Sequence, residues 1–143
     1  MVRGVSKGFR GPELIREIDE AIDKGLARFL IKTQSKLNKR APVDTGRFAS
    51  SWFISKGVVD SESVAPEREA GTSQVDDPVP YSGKITADSD WWIQNNLPYA
   101  ERVCFDPKWA KNGAGGAAWF TTIANNLTKQ AERDLNYFLR KVK

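Results

Sequence analysis

The chain has no histidine and only one cysteine, Cys104. The absence of histidine excludes His-based general acid–base catalysis, and with it Ser-His-Asp and Cys-His nucleophile arrangements. A zinc site would have to be built from carboxylates alone, which zinc rarely accepts. A single cysteine excludes a disulfide within the chain and fits synthesis in a reducing cytoplasm. Cys104 lies between Val103 and Phe105 with no base nearby in sequence. It reads as a small buried hydrophobe rather than a reactive thiol. There is no run of 18 apolar residues, so no transmembrane helix and no membrane partner are expected. Residues 1–11 are basic but lead into no apolar stretch, so they do not read as a secretory signal. The glycine-rich residues 106–116 lack the Gly-Lys-Ser/Thr of a phosphate loop. No cofactor is expected.

What is present fits one domain spanning 1–143, with 40% apolar and 28% charged residues. The charge is unevenly placed. Residues 1–11 carry +3, residues 12–40 carry +2 and residues 41–57 carry +1. Residues 58–90 carry −6, and residues 91–143 carry +4. An acidic insert thus interrupts a basic chain, without the continuous basic stripe of a strong nucleic-acid binder. Residues 1–11 read as a flexible basic arm without a core of its own.

The periodicity predicts a helix opening at Pro12, a first-turn position that proline tolerates. Its stripe runs Leu14, Ile15, Ile18, Ala21, Ile22, Leu26, Phe29, Leu30 and Leu37. Acids crowd its first half and bases its second, which complements the helix dipole. Gly25 reads as a weak point, costing about 1 kcal/mol against alanine. The basic half reads as a solvated face, with a DNA-facing surface as the sharper alternative. Residues 47–56 read as a strand with Trp52 and Ile54 on one face and Phe53 on the other. Residues 81–86 and 90–96 read as a hairpin around Ala87-Asp88-Ser89. Residues 99–103 form one helical turn, and residues 117–142 a second long helix. Its stripe is Phe120, Ile123, Ala124, Leu127, Ala131, Leu135, Phe138, Leu139 and Val142. The expected fold is α+β, a small antiparallel β-sheet packed against two long α-helices at the two ends of the chain, with a long acidic loop.

Residues 58–80 form that loop, with the acids Asp60, Glu62, Glu67, Glu69, Asp76 and Asp77. Its low apolar content favours disorder in a free subunit. Asp76-Asp77 and Asp88 with Asp90 have the form of metal or acid–base pairs, but in loop contexts they read as solvated acids. Trp109 with Lys108 and Lys111 resembles a base-stacking cluster, yet reads more simply as a packed tryptophan beside solvated lysines.

The corner between the first helix and first strand carries the most information. Pro42 ends the helix and disfavours helical geometry at Ala41. The Asp44 carboxylate is placed to accept from the Gly46 N–H in an Asx turn, and Gly46 is free to take a positive φ. Thr45 completes the turn and Arg47 starts the extended run.

Residues 40–51, with Ala41-Pro42-Val43-Asp44-Thr45-Gly46-Arg47, resemble the helix-to-strand corner of a family of bacteriophage tail proteins. A second segment, Asn95-Asn96-Leu97-Pro98-Tyr99-Ala100-Glu101-Arg102-Val103, is similar to that family's later motif. The family continues after it with a glutamate and a glycine, whereas this chain has Cys104-Phe105-Asp106-Pro107. The resemblance implies a tail-completion or tail-terminator protein of the head–tail neck, with no reaction catalysed. It implies a self-assembled ring, most simply a hexamer, that meets other neck and tail-tube proteins. Double-stranded DNA would pass its lumen without sequence recognition. The location implied is the virion, after synthesis in the host cytoplasm. A neck stopper or adaptor, or another DNA-contacting phage structural protein, is the alternative.

The motif residues Pro42, Asp44, Thr45, Gly46, Arg47, Asn96, Tyr99 and Ala100 are expected to fix structure rather than bind ligand. Two roles stay open for the acidic loop. It lines a lumen and repels DNA, or it docks on the basic arm or helix end of a neighbouring subunit.

Overall fold

The computed structural model describes residues 11–43, 46–60, 62–67, 74–106 and 118–142. The basic arm up to residue 10, Asp44, Thr45, Glu69 and the glycine-rich stretch with Lys108, Trp109 and Lys111 lie outside them. The architecture is α+β, with a two-stranded antiparallel sheet and four helices among the described residues.

Helix α1, Gly11–Arg40, has Glu13 in its first turn and Lys39 and Arg40 in its last. It ends where expected. The Ala41 N–H still reaches the Leu37 carbonyl at 3.2 Å, and Pro42 has no N–H with which to continue. Gly25 is better explained by close packing than by weakness. A Cβ there would stand 2.8 Å from the Leu135 Cα and 3.2 Å from the Asp134 carbonyl, so glycine lets the C-terminal helix approach.

Strands β1, Trp52–Lys56, and β2, Trp91–Asn95, pair antiparallel, with Ile54 opposite Ile93 and Trp52 opposite Asn95. The expected strand at 47–56 is therefore shorter. The Ser50 N–H donates to the Gly46 carbonyl at 3.0 Å, so residues 46–50 form a turn. The expected hairpin is a misreading. Residues 81–86 form no strand, and β2 takes β1 as its partner across residues 57–90. Tyr81 and Ile85 still face the core, Ile85 beside Ile54 and Leu30, and Tyr81 edge-on to Trp91 at 5.0 Å. Their apolar signal was real, but Ser82, Gly83 and Lys84 between them are exposed and join no ladder.

Helix α2, Ala100–Phe105, extends the expected helical turn. The second long helix is in fact two, α3, Ala118–Asn125, and α4, Leu127–Leu139. The break is local. The Asn126 amide donates to the Thr122 carbonyl at 2.8 Å, and its backbone N–H turns to the Ile123 carbonyl at 3.1 Å. Ala124, expected on the apolar stripe, is exposed.

The main core gathers Leu37, Phe48, Ala49, Trp52, Leu97, Val103, Cys104, Trp119 and Ile123. Phe48 meets Trp119 edge-on at 6.0 Å and Trp52 edge-on at 5.6 Å, while Phe120 stacks on Trp52 at 6.4 Å. Such pairs contribute about 0.5–1.5 kcal/mol each beyond the area they bury. Cys104 lies in this core, and burial pushes its thiol up to about 11, which suppresses the nucleophilic thiolate.

Candidate functional site

The site is best followed from Gly46. Its φ is +87°, and a Cβ there would stand 1.8 Å from the Gln74 carbonyl oxygen. A side chain is therefore excluded twice, by backbone conformation and by the close passage of the acidic loop. Pro42 is half-buried beside the helix end. Arg47 Nε donates to the Ala65 carbonyl at 2.9 Å, and its Nη1 stands 3.7 Å from Glu67. Glu67 is largely exposed, so the hydrogen bond matters more than this ion pair.

Two serines extend the attachment. The Ser50 hydroxyl donates to the Gly46 carbonyl at 2.7 Å and accepts from the Asp76 N–H at 2.9 Å. The Ser51 hydroxyl donates to the Arg47 carbonyl at 2.6 Å and accepts from the Ala65 N–H at 3.0 Å. Helix α1 adds two amides from its buried face. Gln34 donates to the carbonyls of Trp52 at 2.8 Å and Val79 at 3.0 Å. Asn38 donates to those of Ala49 and Asp76, both at 2.9 Å.

The second motif holds the loop's other end. Asn96 donates to the carbonyls of Asp60 at 2.6 Å and Ser63 at 3.1 Å. The Gln94 side chain brackets Asp60, accepting from its N–H at 3.0 Å and donating to its carbonyl. The Asp60 carboxylate in turn accepts from the N–H groups of Glu62 and Ser63 and from the Ser63 hydroxyl. These bonds hold its pKa below the ordinary carboxylate range, the Ser63 hydroxyl contributing most. Tyr99 precedes α2 and lays its ring 6.4 Å from that of Phe48. The Ala100 N–H donates to the Leu97 carbonyl at 3.0 Å, and Ala100 packs half-buried on the core.

The structure thus brings together Gly46, Arg47, Asn96, Tyr99 and Asp60, and leaves Glu62, Glu67, Asp76 and Asp77 at the surface. Sequence reasoning missed Gln34, Asn38, Ser50, Ser51 and Gln94, all buried. Their available signal was placement. Gln34 and Asn38 are amides four residues apart on a face that also carries Leu30 and Leu37.

A second buried polar group joins α1 to α4. Asp134 is 1% exposed, with Arg28 Nε at 3.1 Å from its Oδ1 and Lys32 Nζ at 3.7 Å. Gln130, also buried, donates to the Thr33 hydroxyl at 3.0 Å and accepts from Lys36. Arg28 and Lys141 lie over the Tyr137 ring at 4.0 and 4.1 Å, and Lys141 and then Arg28 hold the phenol below its usual range.

Asp88 is engaged by the hydroxyls of Thr86 and Ser89, and Asp76 uses its backbone to hold the loop. No group of three metal-ligating side chains gathers among the described residues. No described helix is long and apolar enough to cross a membrane.

Fold and site together define an α+β scaffold whose buried polar side chains hold a long acidic connection in place. Comparison with family models, curated proteins and solved structures finds no match to this chain.

Proposed function

We propose that this chain is a structural subunit of the phage head–tail junction, a tail-completion or tail-terminator protein. In this reading it forms a ring, most simply sixfold, that caps the tail tube and joins it to the head connector. It catalyses nothing and contacts passing DNA without reading sequence.

One observation carries the reading. The two segments that bear the resemblance form one physical unit although they lie about 50 residues apart. The Asn95 amide donates to the Phe48 carbonyl at 2.9 Å, Tyr99 meets Phe48, and Phe48, Ala49, Leu97 and Val103 share one core.

The test is cryo-electron microscopy of the virions of the phage whose genome carries the gene. The expected result is a ring of this chain between head and tail tube. Its absence from the particle, or its presence in one or two copies, would overturn the reading.

A further inference from the structure

The bases in the second half of α1 fall largely on one side. Arg28, Lys32, Lys36 and Arg40 follow at intervals of four, so they share a face and span about 18 Å of helix. Arg133 of α4 joins them. Burial, followed by the repulsion of Arg40, Arg133 and Lys32, holds the Lys36 ammonium below its usual range. Among the described residues, Asp134 is the one carboxylate that forms an ion pair with any of these cations, and it is buried. Lys32, Arg40 and Arg133 are exposed, and the last two have no ion-pair partner among the described residues.

The stretch 76–79 of the acidic connection lies on the other side. Gln34, which holds the Val79 carbonyl, is two residues from both Lys32 and Lys36, or about 200° around the helix. Asn38, which holds the Asp76 carbonyl, is two residues from Lys36 and Arg40. The body of α1 therefore lies between these bases and the stretch 76–79, and keeps the two apart within one chain. Asp60 is engaged in its own turn and Glu67 by Arg47. The carboxylates of Glu62 and Asp77 are exposed and meet no partner among the described residues.

We propose that the basic seam between α1 and α4 is the docking surface for a second copy of this chain, which presents Glu62 and Asp77 to Lys32, Arg40 and Arg133. The two surfaces differ, so the contact is head to tail. Such contacts build a ring when the rotation closes and a filament when it does not. Ring closure rests on the proposed function, whereas the contact itself rests on the charges alone. Duplex DNA would use the same cations but would leave Glu62 and Asp77 unused.

The experiment is sedimentation of the purified chain at low and high salt with three variants. One carries Arg40→Glu with Arg133→Glu, one carries Glu62→Lys with Asp77→Lys, and one carries all four. These residues are exposed and hold no other part of the fold, and circular dichroism checks that each variant is folded. The parent is expected to associate at low salt and to dissociate as salt screens the contact. Either double variant should associate about tenfold more weakly or worse. The fourfold variant, with both signs exchanged, should recover association, as should a mixture of the two doubles. A parent that stays monomeric at millimolar concentration and low salt overturns the proposal, as does association that ignores the doubles or a fourfold variant that stays apart. Binding of a fluorescent DNA duplex that is lost in Arg40→Glu/Arg133→Glu assigns the seam to nucleic acid and overturns it too. A chain absent from virions that still passes the charge exchange removes the phage reading and leaves the interface standing. The reverse pattern removes the interface alone.

Discussion

At the scale of single residues, two positive-φ glycines make a controlled pair. Gly46 and Gly57 have φ of +87° and +78°, but only Gly46 has a neighbour within reach of a Cβ. Gly57→Ala should cost the left-handed term alone, about 1–2 kcal/mol. Gly46→Ala should cost more, because the new methyl must displace the Gln74 carbonyl, and Gly46→Val should cost more again. Equal melting temperatures for Gly46→Ala and Gly57→Ala would show that passage of the loop over Gly46 is unimportant. Ser51→Ala isolates the hydroxyl bridge. It leaves the Ala65 N–H without its acceptor inside the protein, a loss of about 1–3 kcal/mol. Denaturant unfolding measures it, and a change within error would mean that water replaces the hydroxyl. Neither serine bridge was legible in the sequence, because a serine shows no sign of a partner 14 or 26 residues on. The positive φ of Gly46 was legible, since its flanking proline and turn residues already demanded a corner.

At the scale of elements, Gly25 sets helix propensity against packing. Propensity alone makes Gly25→Ala favourable by about 1 kcal/mol. Placing a methyl 2.8 Å from the Leu135 backbone should cost about 1–3 kcal/mol, so the variant is expected to be less stable than the parent. A raised melting temperature would mean that α1 and α4 separate readily. Helix α1 was legible almost to its ends because its stripe is long and its charges are ordered. The α3–α4 break was not, since a side-chain amide turning back on its own helix leaves the hydrophobic period intact. Of the three expected strands, the first is shortened, the second is absent and the third is present, and the partner of β2 was assigned by proximity in sequence. The real pairing reflects Ile54 and Ile93 sharing a face.

At the scale of the whole molecule, the acidic connection responds to pH through Asp60. Its folded pKa lies below the ordinary value of 3.8, so its contribution is complete above that value and is lost as pH falls through the lower folded one. Amide exchange at Glu62 and Ser63 is expected to accelerate over that interval while exchange in α1 does not. Protection that persists below it would mean that the Gln94 and Asn96 contacts suffice. Composition gave no warning of these ties, because the groups that make them belong to α1, β2 and the corner. One consequence concerns the order of events in folding. The β1–β2 ladder forms only after residues 57–90 have closed, which costs about 2 kcal/mol more chain entropy than a tight hairpin. The helices can form locally, but the sheet must wait for a distant encounter, so its contacts belong to the late side of the folding barrier. Truncating Ile54 or Ile93 to alanine should therefore speed unfolding and leave the refolding rate nearly unchanged in stopped-flow measurements. A newly made chain would pass through a helical state whose two strands are both unpaired, and in that interval it is most exposed to pairing with the wrong copy.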